Sequence, residues 1–392
     1  MLPAGVAIGI AVAVAEPSPA PDRAVPSPVL EPAARPSAPT SKPVSKPLGD
    51  SPAAFIELTF VGDIMFGRFR GDGYDGIDIA RVDVFGQVRA LLASDLAVAN
   101  LETPLVRAVP EKSPWSSHMR FAAPPRAAEL LRDAGIGAVS LANNHAHDMR
   151  RQGALETPAI LAEHGVVALG AGQTEQPLFQ IEKVELVGWT IGFIAATTIR
   201  NGPQRADIPE LPYLRRRDIA AQLVPVVAAA RSEVDLIIVL MHWGLEYKDA
   251  PAIQQVRAAR AVIDAGADAF IAHHPHVLQG IERYKHGLIA YSLGNFLFDN
   301  SRDPIRQSGV LRLRYQRDGR CLARAVFHPT FVRSWPSHHA RRPNKWLAGQ
   351  IRQRIARLSR AKPLVTEWRE EGNDLVLTAP ICPGQPQPTG TP

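Results

Sequence analysis

From about residue 55 onward, short apolar runs alternate with stretches whose apolar positions recur at helical spacing. IELTFVGD, LAVANLE, AVSLANNH, VDLIIVLMHWG and ADAFIAHH are near-continuous apolar runs of strand length, the pattern of strands covered on both faces. Between them VFGQVRALLASD, PPRAAELLRDAG, GALETPAILAEHG and IQQVRAARAVIDAG read as helices, and PPRAAELLRDAG has proline at its start and glycine at its stop. Strands alternating with helices predict parallel pairing with helices over both faces, an α/β layered fold. VELVGWTIGFIAATT reads instead as an antiparallel pair, and further pairing of that kind is expected at GLIAYSLGNFLF and GVLRLRYQRDGRCLARAVF, so a mixed or second sheet is predicted. GDGYDGIDIARVD lacks the spacing and closing Glu of a calcium loop and reads as a plain loop.

The ends of the chain follow other rules. Residues 1–15 are apolar and finish in Ala13-Val14-Ala15, a small-residue pattern resembling a secretory cleavage site, with no Lys or Arg before it. Export to the periplasm or cell envelope is expected, with the segment either cleaved or kept as a short anchor. Residues 1–52 hold 12 of the 35 prolines; with so many backbone donors missing, 16–54 is expected to be an extended, disordered Pro-rich linker. The folded core is placed at 55–330, a basic helix and hairpin extension at 331–378, and a second Pro-rich tail at 379–392.

Composition narrows the class. With 46% hydrophobic and 21% charged residues the chain can bury a core, and no apolar run is long enough for a membrane helix. Cys321 and Cys382 stand too far apart to read as a disulfide scaffold or a Cys-rich zinc module. Any metal site must therefore use His, Asp, Glu or Asn. The net charge of +6 is local: residues 333–362 carry 9 of the 44 Lys and Arg and no acid, which leaves 35 against 38 acids, or −3, elsewhere. Leu347, Ile351, Ile355 and Leu358 recur at helical spacing there, predicting one amphipathic helix over 344–360 with an arginine-coated outer face that includes Arg352, Arg354 and Arg357. That face suits solvent, an anionic membrane surface or a polyanion. Nucleic acid is not expected as a partner of a slightly acidic, exported core.

The polar residues collect where the apolar runs end. Asp63 follows FVG; Asn100 and Glu102 follow LAVA; Asn143, Asn144, His145 and Asp148 follow VSLA; His242 and Glu246 follow IIVLM; His273, His274 and His276 follow DAFIA. In an α/β sheet the carboxyl ends of parallel strands share one edge, where ligands bind, so these clusters are expected to converge. Imidazole and carboxylate donors suit Zn, Mn or Fe, and Asn adds a carbonyl oxygen. Alternation in an extended His274-Pro275-His276 segment would place both rings on one side.

The ordered segments GDIMFGR, ANLETPL, SLANNHAHD, MHWGLEY, HHPHVLQG and YSLGNFLFD, from about Ile56 to Asp299, resemble the motif set of the bacterial capsule-synthesis proteins called CapA, the poly-γ-glutamate biosynthesis family. That family is similar in fold to the calcineurin-like metallophosphoesterases, which implies an α/β/β/α sandwich with mixed sheets and a divalent metal centre of one or two ions. Carried over by resemblance, Asp63 is the opening ligand, Glu102 stands at the bridging position, Asn144 is a ligand beside the acid-base residue His145, and His242, His274 and His276 complete the set. Met65 stands where those phosphoesterases have a histidine, which removes one nitrogen ligand.

Three functions follow as expectations. The first is a metal-dependent, hydrolase-like role in making, exporting, anchoring or trimming an anionic polymer such as poly-γ-glutamate, together with membrane synthase subunits. The second is a phosphoesterase acting on an extracytoplasmic phosphate ester; the third is a polymer-binding component without turnover. In the catalytic readings His145 is the general acid or base, since imidazole titrates nearest neutrality. Glu246 is a base or orients a ligand histidine, and Arg68 is positioned to grip a substrate carboxylate. Trp243, His118, His164, His286, His328, His338 and His339 are read as packing or surface residues. Ser116 and Ser117 lack a nucleophile-elbow context, and no phosphate-cradling Gly-x-x-x-x-Gly-Lys-Ser/Thr loop occurs.

Overall fold

The computed structural model describes residues 53–71, 73–113, 119–172, 178–299, 302–334, 337–378 and 382. The expectations for 1–15, 16–52, Ser116, Ser117, His118 and, Cys382 apart, the tail at 379–392 lie outside the described residues. In chain order the elements are β1 (Phe55–Ile64), β2 (Gly67–Arg70), β3 (Gly73–Gly76), α1 (Arg89–Leu92), β4 (Leu96–Leu101), α2 (Arg126–Ala134), β5 (Ile136–Ser140), α3 (Arg150–Glu163) and β6 (Val167–Leu169). There follow β7 (Glu182–Leu186), β8 (Trp189–Thr197), α4 (Ile219–Ala230), β9 (Leu236–His242), α5 (Ile253–Asp264), β10 (Ala269–His273), β11 (Ile281–Tyr284), β12 (Gly287–Ala290), β13 (Asn295–Leu297), β14 (Gln307–Gln316), β15 (Cys321–Arg333), β16 (His339–Arg341), α6 (Lys345–Arg360), β17 (Trp368–Glu371) and β18 (Asp374–Leu377).

Two mixed sheets result. The first runs β17-β18-β15-β14-β1-β4-β5-β6, with β13 parallel to β1 and β16 beside β15; the second runs β11-β12-β10-β9-β8-β7. β1, β4, β5 and β6 are parallel, as are β8, β9, β10 and β12. Strand alternation sorts the side chains into layers. Phe60, Val98 and Ala138 face Phe193, Leu240 and Ile271 in the core between the sheets. Val61 and Val139 point the other way, to α2 and α3, while Ile237, Val239 and Phe270 meet α4 and α5. This is the expected α/β/β/α sandwich.

Local differences have physical causes. GLIA and NFL do not pair with each other: β12 lies in the second sheet and β13 in the first, because Gly294 at φ 68° turns the chain between them. The segment that reads as a loop contributes β3, which closes a small hairpin on β2. The four-residue α1 is much shorter than its apolar spacing suggests. Nothing in the apolar pattern announces α4, since Pro225 lies inside it. The two cysteines excluded as a scaffold are bonded to each other as a single staple.

α6 begins one residue after Asn344, whose side chain accepts the Leu347 N–H at 2.9 Å, and it buries Leu347, Ile351, Ile355 and Leu358 as predicted. Its arginine coat is thinner than expected. Arg352 adjoins Ile351 on the inward side, where it donates to Glu370 at 3.0 Å and to the Asn373 carbonyl at 3.2 Å. Arg354 reaches Asp249 at 2.6 Å. Arg357 and Arg360 remain exposed.

Candidate metal centre

The carboxyl ends of the parallel strands of both sheets meet at one edge. Asp63 and Asn100 come from β1 and β4, and His242 and His273 from β9 and β10. Asn100 Nδ2 lies 2.8 Å from Asp63 Oδ1, 3.1 Å from Glu102 Oε1 and 3.2 Å from His242 Nδ1, joining the two sheets. Three acceptors thus crowd an amide that carries two protons. Asn143 ties down the next loop, donating to the Leu101 carbonyl at 2.8 Å and accepting the His145 N–H at 3.1 Å.

His242 Nε2 is 2.8 Å from Asn144 Oδ1 and 3.1 Å from His274 Nδ1. His276 Nδ1 is 2.9 Å from Asn295 Oδ1 and 3.2 Å from Asp63 Oδ2. The His274-Pro275-His276 segment is a turn and not the extended run expected: His274 has φ 96° and His276 φ 56°. Left-handed backbone at two non-glycine residues is strained and collects at functional sites. The turn brings the two ring centroids to 5.7 Å.

Ligand atoms of Asp63, Glu102 and His242 lie within 4.8 Å of one another, and so do those of Glu246, His274 and His276. Glu246 therefore lies with the histidine turn, to which Gly244 at φ 102° redirects the chain. Glu102 Oε2 is buried and has no hydrogen-bond partner, and the buried Asp63 Oδ2 faces His276 Nδ1 at 3.2 Å. Two buried carboxylates, one with an orphaned oxygen, beside imidazoles and an Asn carbonyl form a donor set that fits a divalent cation.

The electrostatics agree. Burial pushes Glu102 well above the ordinary carboxyl range, and the neighbouring Asp63 adds to it. Burial also raises Asp63, but His276, His273 and His242 outweigh it and hold that carboxyl below its ordinary value. Burial, then the charge of His274, depresses His242; burial, then His276, depresses His274 to about 3. His276 is the exception: burial would lower it, yet the Glu102 and Asp63 carboxylates carry it up to about 10.

His145 lies beside this centre. Its Nδ1 is 2.7 Å from Asp148 Oδ2; Asp148 is fully buried and also accepts the Phe121 N–H at 2.8 Å and Arg120 at 3.1 Å. The Phe121 ring stacks on the imidazole with centroids 3.8 Å apart. Arg68 does not stand free for a substrate: it is ion-paired with Asp299 and covers Phe121 and Phe298. Met65 packs with these same two phenylalanines, an apolar wall in place of a nitrogen ligand. Trp243 is packing, against Phe270 and Tyr291. The sequence marks Asn100 and Asp148 only as strand-end residues and gives no role to Asn295, whose one signal is its place in YSLGNFLFD. Asn201, which no motif of the sequence marks, accepts from Asn144 Nδ2 at 3.0 Å.

Gly62 sets the approach of β13. A Cβ on it would lie 1.8 Å from the Gly294 carbonyl oxygen and 2.8 Å from its carbon, next to the bond from Asp63 N–H to that oxygen. Gly62→Ala is expected to destabilise by about 3 kcal/mol and to lower metal content, read by urea unfolding and elemental analysis. An unchanged midpoint would contradict this packing.

The fold and site define a two-sheet α/β sandwich protein with a candidate cation site at its strand ends. Residues 57–300 match the family described as bacterial capsule synthesis protein PGA_cap, and the chain belongs to that family. It is 30% identical over 284 residues to the capsule biosynthesis protein CapA of Bacillus anthracis, covering 69% of this chain and 66% of that one. It is 31% identical over 268 residues to the PGA biosynthesis protein CapA of Bacillus subtilis, with 67% and 69% covered. The chain thus spans about two thirds of the length of these relatives. Among solved structures, a phosphatase from Mycoplasma pneumoniae matches with TM-score 0.41 and 13% identity, over 70% of this chain and 93% of that one.

Proposed function

We propose that the chain is an exported, metal-dependent hydrolase that trims an amide-linked anionic polymer of the poly-γ-glutamate type during capsule synthesis. The observation that carries this reading is the pair of ligand groups at one sheet edge, with an orphaned oxygen on the buried Glu102. Asp63, Glu102, Asn144 and His242, with His274, His276 and Glu246, would hold one or two ions, with Zn, Mn or Fe suited to these donors. A bound divalent ion supplies polarisation of the substrate carbonyl oxygen. The relatives' names supply the polymer, and a disulfide is at home in an oxidising compartment, which supports export.

The chain's own residues handle the proton. Asp148 holds Nδ1 of His145 and leaves Nε2 as the nitrogen that exchanges it. As water adds to the carbonyl carbon, His145 Nε2 takes a proton from it and delivers that proton to the leaving nitrogen as the C–N bond breaks, giving an amine and a carboxylic acid that ionises to the carboxylate. Phe121, pressed down by Arg68, keeps the ring in place.

The test incubates metal-loaded protein with poly-γ-glutamate and with a panel of phosphate esters, following chain length and phosphate release together. Shortening of the polymer that drops at least about 100-fold in His145→Ala supports the reading. Phosphate release without shortening would make the protein a phosphoesterase. Polymer binding with neither activity would make it a binding component.

A further inference from the structure

One side chain at the metal centre comes from a segment that carries none of the strand-end clusters. Between β8 and α4 the chain makes a long loop, 198–213, closed at its ends by Thr197 N–H on the Pro212 carbonyl at 2.8 Å and Leu214 N–H on the Thr197 carbonyl at 2.9 Å. Its foot stands on the last residue of β9: Thr198 N–H and Thr197 Oγ1 both donate to the His242 carbonyl, at 2.9 and 3.1 Å. Gln204 holds the loop from inside, its amide lying 3.0 and 3.1 Å from the Arg205 and Ile208 carbonyls while its oxygen accepts the Leu211 N–H at 3.3 Å. The outer part is docked as well, since Arg151 of α3 donates to the Asp207 carbonyl at 3.0 Å and a Cβ on Gly172 would lie 2.2 Å from the Glu210 carbonyl oxygen. A loop closed and filled in this way presents a side chain from a fixed place.

That side chain is Asn201. Its Oδ1 accepts Asn144 Nδ2 at 3.0 Å, while at the other end of the same amide Asn144 Oδ1 lies 2.8 Å from His242 Nε2. The two contacts sort the Asn144 amide, nitrogen toward the loop and oxygen toward the ligand atoms of the centre. Only the oxygen can bind a cation; turned over, the amide would set its N–H groups among the imidazoles. Asn201 Nδ2 reaches His145 Nδ1 only at 3.5 Å, and that nitrogen is already held by Asp148 at 2.7 Å. Asn201 is itself exposed, where a hydrogen bond replaces one to water at little net gain in stability. The contact with Asn144 therefore sets a direction more than it stabilises the fold.

We propose that Asn201 is a positioning residue that keeps the Asn144 carbonyl oxygen turned toward the bound cation, a proposal that rests on Asn144 serving as a ligand of the metal centre above. Partners that hold a ligating side chain in this way are worth about 10–100-fold in metal affinity. The part of Asn201 that matters is its acceptor oxygen, which a carboxylate supplies equally and an apolar side chain of the same size does not.

The test titrates Co2+ into the full chain and follows its visible absorption, whose shape reports the ligand set, beside the melting temperature of the metal-free protein. Asn201→Leu is expected to weaken cobalt binding at least about tenfold and to change the spectrum, with the metal-free melting temperature near wild type. Asn201→Asp stays close to wild type in both. Because Asn201 acts through Asn144, adding Asn201→Leu to Asn144→Ala costs nothing further. Asn201→Ala is the second variant should leucine not fold. Equal cobalt affinity in wild type and Asn201→Leu, a full further loss in the double variant, the same loss in Asn201→Asp, or a lowered metal-free melting temperature in both the leucine and alanine variants would overturn the proposal. A wild type that binds no cobalt removes the metal centre itself, whereas one that binds it equally with and without Asn201 removes only this residue's role. Polymer hydrolysis is not read, so the fate of the hydrolase reading is separate.

Discussion

Asp63→Asn lowers the divalent metal bound by the purified chain at least about tenfold and removes the rise in melting temperature that added Zn or Mn gives the wild type. The reason lies in the charge balance of the site. Asp63 is the carboxylate that three histidines keep ionised, and Glu102 beside it is pushed toward its neutral form. Removing the ionised partner leaves an amide whose carbonyl can still accept a hydrogen bond but supplies no charge to the cation. A ligand that binds only the folded state at a hundred times its Kd adds about 2.7 kcal/mol of stability, and this increment is what the variant loses. Elemental analysis and a melt with and without metal read it out. Equal metal in both proteins would remove the centre from this edge of the sheets. Asn100→Ala offers a second measure: it keeps every charge but frees Asp63 and Glu102 from their common donor.

Much of this centre is legible in the amino-acid sequence, because five apolar runs end in polar clusters and parallel strands align their carboxyl ends. The sandwich is legible for the same reason: continuous apolar strands need cover on both faces, and the alternation of Phe60 with Val61 assigns one side chain to the inter-sheet core and the next to the helices. What escapes depends on backbone conformation, not residue type. Positive φ at Gly244 carries Glu246 to the histidine turn, and at His274 and His276 it replaces an extended run. Arg68 looks free in the sequence because its partner Asp299 lies 231 residues away, and no local spacing announces such a pair. Arg352 and Arg354 look solvated for a similar reason, since charge on a helix says nothing of an acid brought alongside by another element. Asn295 sits on a three-residue strand that pairs directly with β1 at Asp63, far away in the sequence.

Breaking the Cys321–Cys382 bond is expected to lower stability by about 2–4 kcal/mol, in Cys321→Ser and equally in the wild type under reductant. The sequence separation of 61 residues makes the two cysteines look unrelated. The intervening chain returns on itself: β15 runs out, α6 crosses the edge of the sandwich, and the β17–β18 hairpin lays β18 back along β15. That return brings the two Cα atoms to 5.1 Å, within the span a disulfide bridges. A loop of this length restrains the unfolded chain by roughly 4 kcal/mol on the chain-entropy account. The measured effect should fall at or below that figure, because Leu347, Ile351, Trp368 and Leu375 also anchor the segment in the inter-sheet core. The same segment carries Arg354 and Arg357, which meet Asp249 in the loop that carries Glu246. Loss of the staple should therefore loosen α6 first, visible as faster amide exchange over 345–360 before the parallel strands change. Two titratable thiols in the native, unreduced protein, or a reductant effect that persists in the Cys321→Ser variant, would show that the bond does not act this way.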